Sequence, residues 1–217
     1  MPPAAYTCES SKLRVLRYLA AGAWCSNVEL TQPHVGGNRG VGRLWEAEAA
    51  GGAAAARAPK DPRVLTGWGI LALKRGLGQD AVTRLDQARG LMAGKTPPAL
   101  WYWARVLAGL VNGQEAAVVP LAEEGVKAHP KSAALRNNLG VLYERADRTE
   151  TAEQVLAAGL EEDPSLPQLS KNLGDLHYKE GRADEAQQAY LRAVKLAPRL
   201  GDDVYFKLGN IAYKQGR

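Results

Sequence analysis

The chain has 217 residues, 46% of them hydrophobic, and carries a formal net charge of +5. That supports one elongated array or one to two compact domains, and no run of about 18 apolar residues is present to cross a membrane. Aromatics are 6%, with five Trp and one Phe, so alanine and leucine must do most of the packing, which suits helices and disfavours a β-sandwich.

The charge is uneven. Residues 1–109 hold 14 Lys+Arg against 7 Asp+Glu, net +7, whereas residues 110–217 hold 14 against 16, net −2. The basic excess is scattered, is densest at Lys74-Arg75, and is not interleaved with aromatics as a nucleic-acid surface would be. No nucleic-acid partner is expected. Cys8 and Cys25 are the only cysteines, which fits a reducing compartment or a fold independent of disulfides.

Residues 1–42 form an irregular, basic segment. Within it Ser11–Trp24 has Leu13, Leu16 and Leu19-Ala20 at helical spacing, and the expected role is a cap over the start of a helical array. Lys12, Arg14 and Arg17 precede a short apolar stretch, but Trp24 before Cys25 is wrong for a cleavage or lipidation site. The expected location is cytoplasmic, with export left open. Gln32–Gly42 is glycine-rich and reads as a loop. Gly37 and Gly42 have the gap of a phosphate-binding loop, yet Arg43 and Leu44 follow, and leucine cannot ligate magnesium.

Residues 43–132 read as degenerate helical hairpins. Arg43–Ala58 favours a helix that Gly51-Gly52 weakens, ending at Lys60-Asp61-Pro62. Arg63–Met92 divides into two helices around Gly76–Gly78. Gly67-Trp68-Gly69-Ile70-Leu71-Ala72 matches a dinucleotide fingerprint, but no strands flank it, so its glycines are read as points of close helix contact. Ala99–Pro130 repeats the hairpin with Gly113 at the turn. Its first helix, with Trp101, Tyr102, Trp103, Leu107, Leu110 and Val111, is apolar almost all round and is expected to be buried; the alternative is an aromatic ligand platform.

Residues 133–217 hold two clear copies of one pattern and the start of a third. Leu139-Gly140 recurs as Leu173-Gly174, Ala152 as Ala186, Leu156 as Tyr190 and Pro164 as Pro198, all at one and the same offset; Leu208-Gly209 opens the third. A glycine at 140, 174 and 209 lets one helix touch the next closely, and Ala152 and Ala186 supply the matching flat spot. Gly181 and Gly216 suit a left-handed turn, with Asp147 less comfortable in the same place. The prolines end one hairpin and begin another.

These residues resemble the tetratricopeptide repeat family, whose period of about 34 residues is the offset between the two copies. The resemblance implies an all-α fold, an α-α superhelix or solenoid of helical hairpins, with residues 133–217 as regular repeats of which the last is incomplete. Arg136 and Ser170 stand where the family has an aromatic that only Tyr205 keeps, and His177 replaces a tyrosine; these losses are expected to soften the packing of the first helices. The resemblance further implies a non-catalytic scaffold that holds a peptide or helical segment in a groove lined by the first helices. Carried over, the groove positions are Asn137, Asn138, Val141, Glu144 and Arg145; Gln168, Lys171, Asn172, Asp175, Tyr178 and Lys179; and Phe206, Lys207, Asn210, Tyr213 and Lys214. Amides grip a peptide backbone, and Lys171, Lys179, Lys207 and Lys214 would favour an acidic segment. The alternative is an accessory or regulatory module of a larger enzyme-bearing or signalling protein.

Some members of the family clamp a free carboxylate with a Lys, Asn, Asn, Lys, Arg set. Begun at the first clear copy, that set finds Asn172 and the basic Lys207 but fails at Asn137, Val141 and Asp203. Begun one copy later, Lys171 fits while Asp175 and Lys207 fail, so the clamp is not expected.

Chemistry has little purchase here. His34, His129 and His177 show no metal-ligand spacing with either cysteine, and no nucleophile motif appears; no metal, cofactor or catalytic residue is expected. The third copy stops at its turn, so the chain is expected to be a fragment of a longer array, the alternative being an open face that pairs with another chain; Val204, Leu208 and Ile211 are expected to present uncovered apolar surface, with self-association as the consequence.

Overall fold

The computed structural model describes residues 38–216, and among them every regular element is a helix. In chain order these are α1 Asn38–Arg57, α2 Pro62–Lys74, α3 Gly78–Gly90, α4 Ala99–Val111, α5 Glu115–Ala128, α6 Ala133–Arg145, α7 Thr149–Glu162, α8 Pro167–Lys179, α9 Ala183–Leu196 and α10 Asp202–Lys214. The fold is an all-α repeat solenoid built of helical hairpins. The described residues fall into two compact units, divided after Asn112.

In the first unit α1 packs on α2, α2 on α3 and α4, and α3 on α4. The chain from Asn38 to Gly42, expected as loop, already belongs to α1. Gly51 does not break that helix, because its bare backbone lies against α2: a Cβ there would meet the Leu71 side chain at 3.0 Å. Asp61 caps α2 by accepting from the Arg63 amide at 2.9 Å, with Pro62 in the first turn, where its missing N–H costs nothing. The aromatic helix α4 is buried along one face, while Trp103, Leu107, Leu110 and Val111 are half-buried. Trp101 and Tyr102 are 3% and 1% exposed, and the Trp101 indole Nε1 donates to the Leu85 carbonyl at 2.8 Å.

In the second unit each helix packs on the next from α5 to α10, and α6 also packs on α8. Gly181 turns α8 into α9 at φ 75°, and Asp147 makes the equivalent turn at φ 54° despite its Cβ.

One contact defines each regular hairpin. A Cβ built on Gly140 would stand 2.5 Å from the Leu156 side chain, and one on Gly174 would stand 2.6 Å from the Tyr190 ring. The first helix of a hairpin therefore carries a notch, and the second delivers a large side chain into it. Gly69 and Leu85 make the same pair in the first unit, at 2.8 Å. Ala81, Ala152 and Ala186, each one helical turn before the large side chain, are fully buried.

The loss of first-turn aromatics is compensated locally. Tyr205 donates its hydroxyl to the Pro198 carbonyl at 2.8 Å, and Arg136 Nη2 serves the Pro130 carbonyl at the same distance. Ser170 is too short to reach Pro164, whose carbonyl instead accepts from Arg192 at 3.2 Å.

Val204 and Ile211 are not uncovered, contrary to expectation. They are 0% and 2% exposed, in a cluster with Ala186 and Tyr190 against which Leu208 also packs. Helical periodicity turns this stripe back toward α9, so the large apolar side chains that α10 exposes are Tyr205, Phe206 and Tyr213.

Candidate functional site

The positions carried over from the family lie on α6, α8 and α10, and the structure sorts them into three kinds. The first is an amide pair. Asn172 Nδ2 on α8 donates to Asn137 Oδ1 on α6 at 2.8 Å, with both residues half-buried. That bond leaves the Asn137 amide N–H groups and the Asn172 carbonyl oxygen without a hydrogen bond among the described residues. Asn138, its neighbour in sequence, turns inward and is only 7% exposed, so it does not belong to an accessible face.

The second kind is an ion cluster centred on Asp175. Lys171 Nζ lies 2.9 Å from Asp175 Oδ2 and 3.0 Å from Asp203 Oδ2. Lys207 Nζ lies 2.6 Å from Asp175 Oδ1 and 3.8 Å from Asp203 Oδ2. The Tyr190 hydroxyl donates to Asp175 Oδ1 at 2.7 Å. One carboxylate thus joins three helices, α8, α9 and α10. Burial alone would raise the Asp175 pKa, but Lys171 and the hydrogen bonds from Lys207 and Tyr190 outweigh it and hold the carboxyl below its usual value. Burial opposes the charge on Lys171 in the same way, and Asp175 and Asp203 more than restore it, so its pKa is raised. Burial and the neighbouring Asp175 charge push the Tyr190 hydroxyl well up.

This cluster changes the reading of the lysines. Two lysines meet two aspartates, and Lys179 is likewise placed 3.3 Å from Asp147 and 3.9 Å from Glu144. Three of the four cations expected to attract an acidic segment are therefore already paired within the chain. Asp203 and Tyr190 were missed from sequence, although Asp203 and Lys207 stand at i and i+4, itself an ion-pair signal.

The third kind is a set of side chains on or beside α10. Asn210 is half-buried, Lys214 is exposed, and Phe206 and Tyr213 are 70% and 85% exposed. Tyr178 on α8 occupies the register of Tyr213 but packs against the Tyr190–Val204 cluster.

His177 belongs to the packing rather than to a site. Its side chain is 12% exposed, and its Nδ1 stands 3.9 Å from Glu153 Oε1 without a hydrogen bond. Glu153 is held instead by both arms of Arg182, at 3.0 and 2.7 Å. Burial, then the Arg182 charge, lower the His177 pKa below its usual 6.5 despite Glu153, Glu185 and Glu180. The unfolded chain therefore takes up this proton first, and stability is fully present above pH 6.5 and falls as the pH drops below it. Thermal melts from about pH 7.5 to 5 should show this loss in the native chain and less of it in His177→Gln; equal slopes would assign the loss to other groups. Among the described residues no group of three or more His, Cys, Asp or Glu could hold a metal ion, and no helix is long and apolar enough to cross a membrane.

Comparison with known proteins bears on this arrangement. Models of the tetratricopeptide repeat match residues 119–167 and 167–200. No curated protein matches the chain by sequence. Among solved structures, a thermophilic tetratricopeptide protein of Thermus thermophilus superposes with a TM-score of 0.71 at 19% identity, covering 95% of this chain and 100% of that one. PilW, a type IV pilus biogenesis factor, gives 0.72 at 15% identity over 98% of this chain and 88% of its own. YrrB, described as having an unusual peptide-binding site, gives 0.54 at 18% identity over 74% and 81%. At these identities the likeness is one of fold. The repeat register, the glycine notches and the family matches agree, and residues 119–200 of the chain are tetratricopeptide repeats.

Proposed function

We propose that this protein is a non-catalytic interaction scaffold whose α6, α8 and α10 bind an extended peptide through its main chain. The observation that supports this reading is the Asn137–Asn172 bond, which leaves one amide donor and one carbonyl acceptor on adjacent helices. A peptide group presents the complementary acceptor and donor. Asn210 offers a further amide on α10. An acidic segment is a weaker fit, because it must displace Asp175 or Asp203 from Lys171 and Lys207. We place the scaffold in the cytoplasm, on the strength of two cysteines in 217 residues.

The test is selection of binding peptides from a random library on the intact chain, followed by titration of the best one against Asn137→Ala/Asn172→Ala. Two lost hydrogen bonds of about 0.5–1.5 kcal/mol each predict roughly five- to 150-fold weaker binding, with little dependence on salt. Equal affinity for both proteins would refute the amide reading. Binding that collapses with added salt would restore the acidic partner.

A further inference from the structure

One stripe of register positions is half open in the second unit and closed and apolar in the first. Counted from the notch glycine, Asn137, Val141 and Glu144 on α6 stand three before, one after and four after. Lys171, Asp175 and Tyr178 hold the same places on α8, and all six are half-buried. Around Gly69 these places fall to Thr66, Ile70 and Leu73 on α2, which are 4%, 1% and 4% exposed. On α4, one repeat before the α6 set, they fall to Trp103, Leu107 and Leu110, with Leu100 one turn earlier and 38% exposed. Among the described residues α2 alone buries all three places.

The helices packed on α2 do not account for this closure. They are α1, α3 and α4, and α6 has the same kinds of neighbour in α5, α7 and α8 yet keeps its stripe half open. An apolar stripe that is shut in this way is built as a core and calls for a further cover.

We propose that the cover comes from this chain itself: Ser11–Trp24, which lies outside the described residues, docks as an amphipathic helix along the stripe of α2 and α4. Leu13, Leu16, Ala20 and Ala23 recur at i, i+3, i+7 and i+10, the spacing of Leu100, Trp103, Leu107 and Leu110. Arg14 falls on the opposite face of such a helix, toward water. Residues 25–37 separate the segment from α1 and span at most about 45 Å, against one or two helix separations of about 8–10 Å each. A tether of that length holds the segment at an effective concentration on the order of millimolar, which a second copy or another protein's helix must outcompete. The segment is thus an intramolecular competitor for any partner that enters the first unit on this side.

The test places the photo-crosslinking residue benzoylphenylalanine at position 16 or, separately, at position 14 of the full chain. In place of Leu16 it is expected to form adducts within residues 62–74 or 99–111 of the same molecule, at least fivefold more than in place of Arg14. Adducts confined to other elements, or equal yields from the two positions, would overturn the proposal. Adducts on these helices in a crosslinked dimer would overturn it in favour of a second copy. Leu13→Asp/Leu16→Asp frees the stripe without a bulky probe. That variant should bind a fluorescent peptide of residues 11–24 at least tenfold more tightly than the native chain does, and equal affinity would also overturn the proposal. Asn137→Ala/Asn172→Ala should leave both results unchanged, because this surface does not rest on that amide pair.

Discussion

Replacing Tyr190 by alanine is expected to cost the second unit about 3–5 kcal/mol, the usual range for an aromatic removed from a packed core. The side chain is fully buried, fills the Gly174 notch and packs with Val204 and Ile211. Alanine therefore leaves a cavity bounded by α8, α9 and α10, and the notch glycine has no side chain with which to collapse into it. Tyr190→Phe separates the two contributions. It keeps the ring and loses only the hydroxyl bond to Asp175, for about 1–2 kcal/mol. Urea midpoints of the three proteins measure the difference, and a Tyr190→Ala protein within about 1 kcal/mol of the native chain would show that the notch is not a principal tie.

Asp175→Ala has the next largest expected effect, about 2–3 kcal/mol. Removing the shared carboxylate strands Lys171 and Lys207, whose side chains are 23% and 27% exposed, and leaves the Tyr190 hydroxyl without its acceptor. The loss lies below that of a fully buried pair because water reaches both ammonium groups. Asp203→Ala should cost less than about 1 kcal/mol, since that carboxylate is 45% exposed. Thermal melts rank the two. Equal losses would mean that burial does not set the hierarchy of this cluster. Asp175, read from sequence as a groove residue, would by this result be a structural joint beside the groove.

The fold was legible because its strongest constraint repeats. A glycine, then an alanine, then a large residue one turn beyond the alanine leave a pattern at fixed spacing, visible at Gly140, Ala152 and Leu156 and again at Gly174, Ala186 and Tyr190. The same triplet at Gly69, Ala81 and Leu85 lies in a stretch that otherwise looks like a nucleotide fingerprint, and the absence of flanking strands together with the amphipathic pattern that follows argued for the helical reading. The site was legible only as positions. Lys171 and Lys207 each have an acid four residues away on their own helix, at Asp175 and Asp203, but the cross-helix pairs Lys171–Asp203 and Lys207–Asp175 that tie α8 to α10 leave no mark in one dimension. Asn137 and Asn138 are indistinguishable by type, and a rotation of one residue on α6 puts one on the surface and the other in the core. The same rotation hid Val204 and Ile211 and exposed Tyr205 and Tyr213.

The notches also bear on how the chain acquires its structure. Each large side chain reaches its glycine across a single tight turn, so a hairpin closes a short loop before it needs any distant part of the protein. Loop closure on that scale costs little entropy, and chains dominated by such near-neighbour contacts fold quickly for their size. The drawback lies in their likeness to one another. Leu85, Leu156 and Tyr190 answer to interchangeable seats, so a half-folded chain offers each of them more than one glycine. Correct pairing then rests on speed, each hairpin shutting on its own partner before a rival arrives.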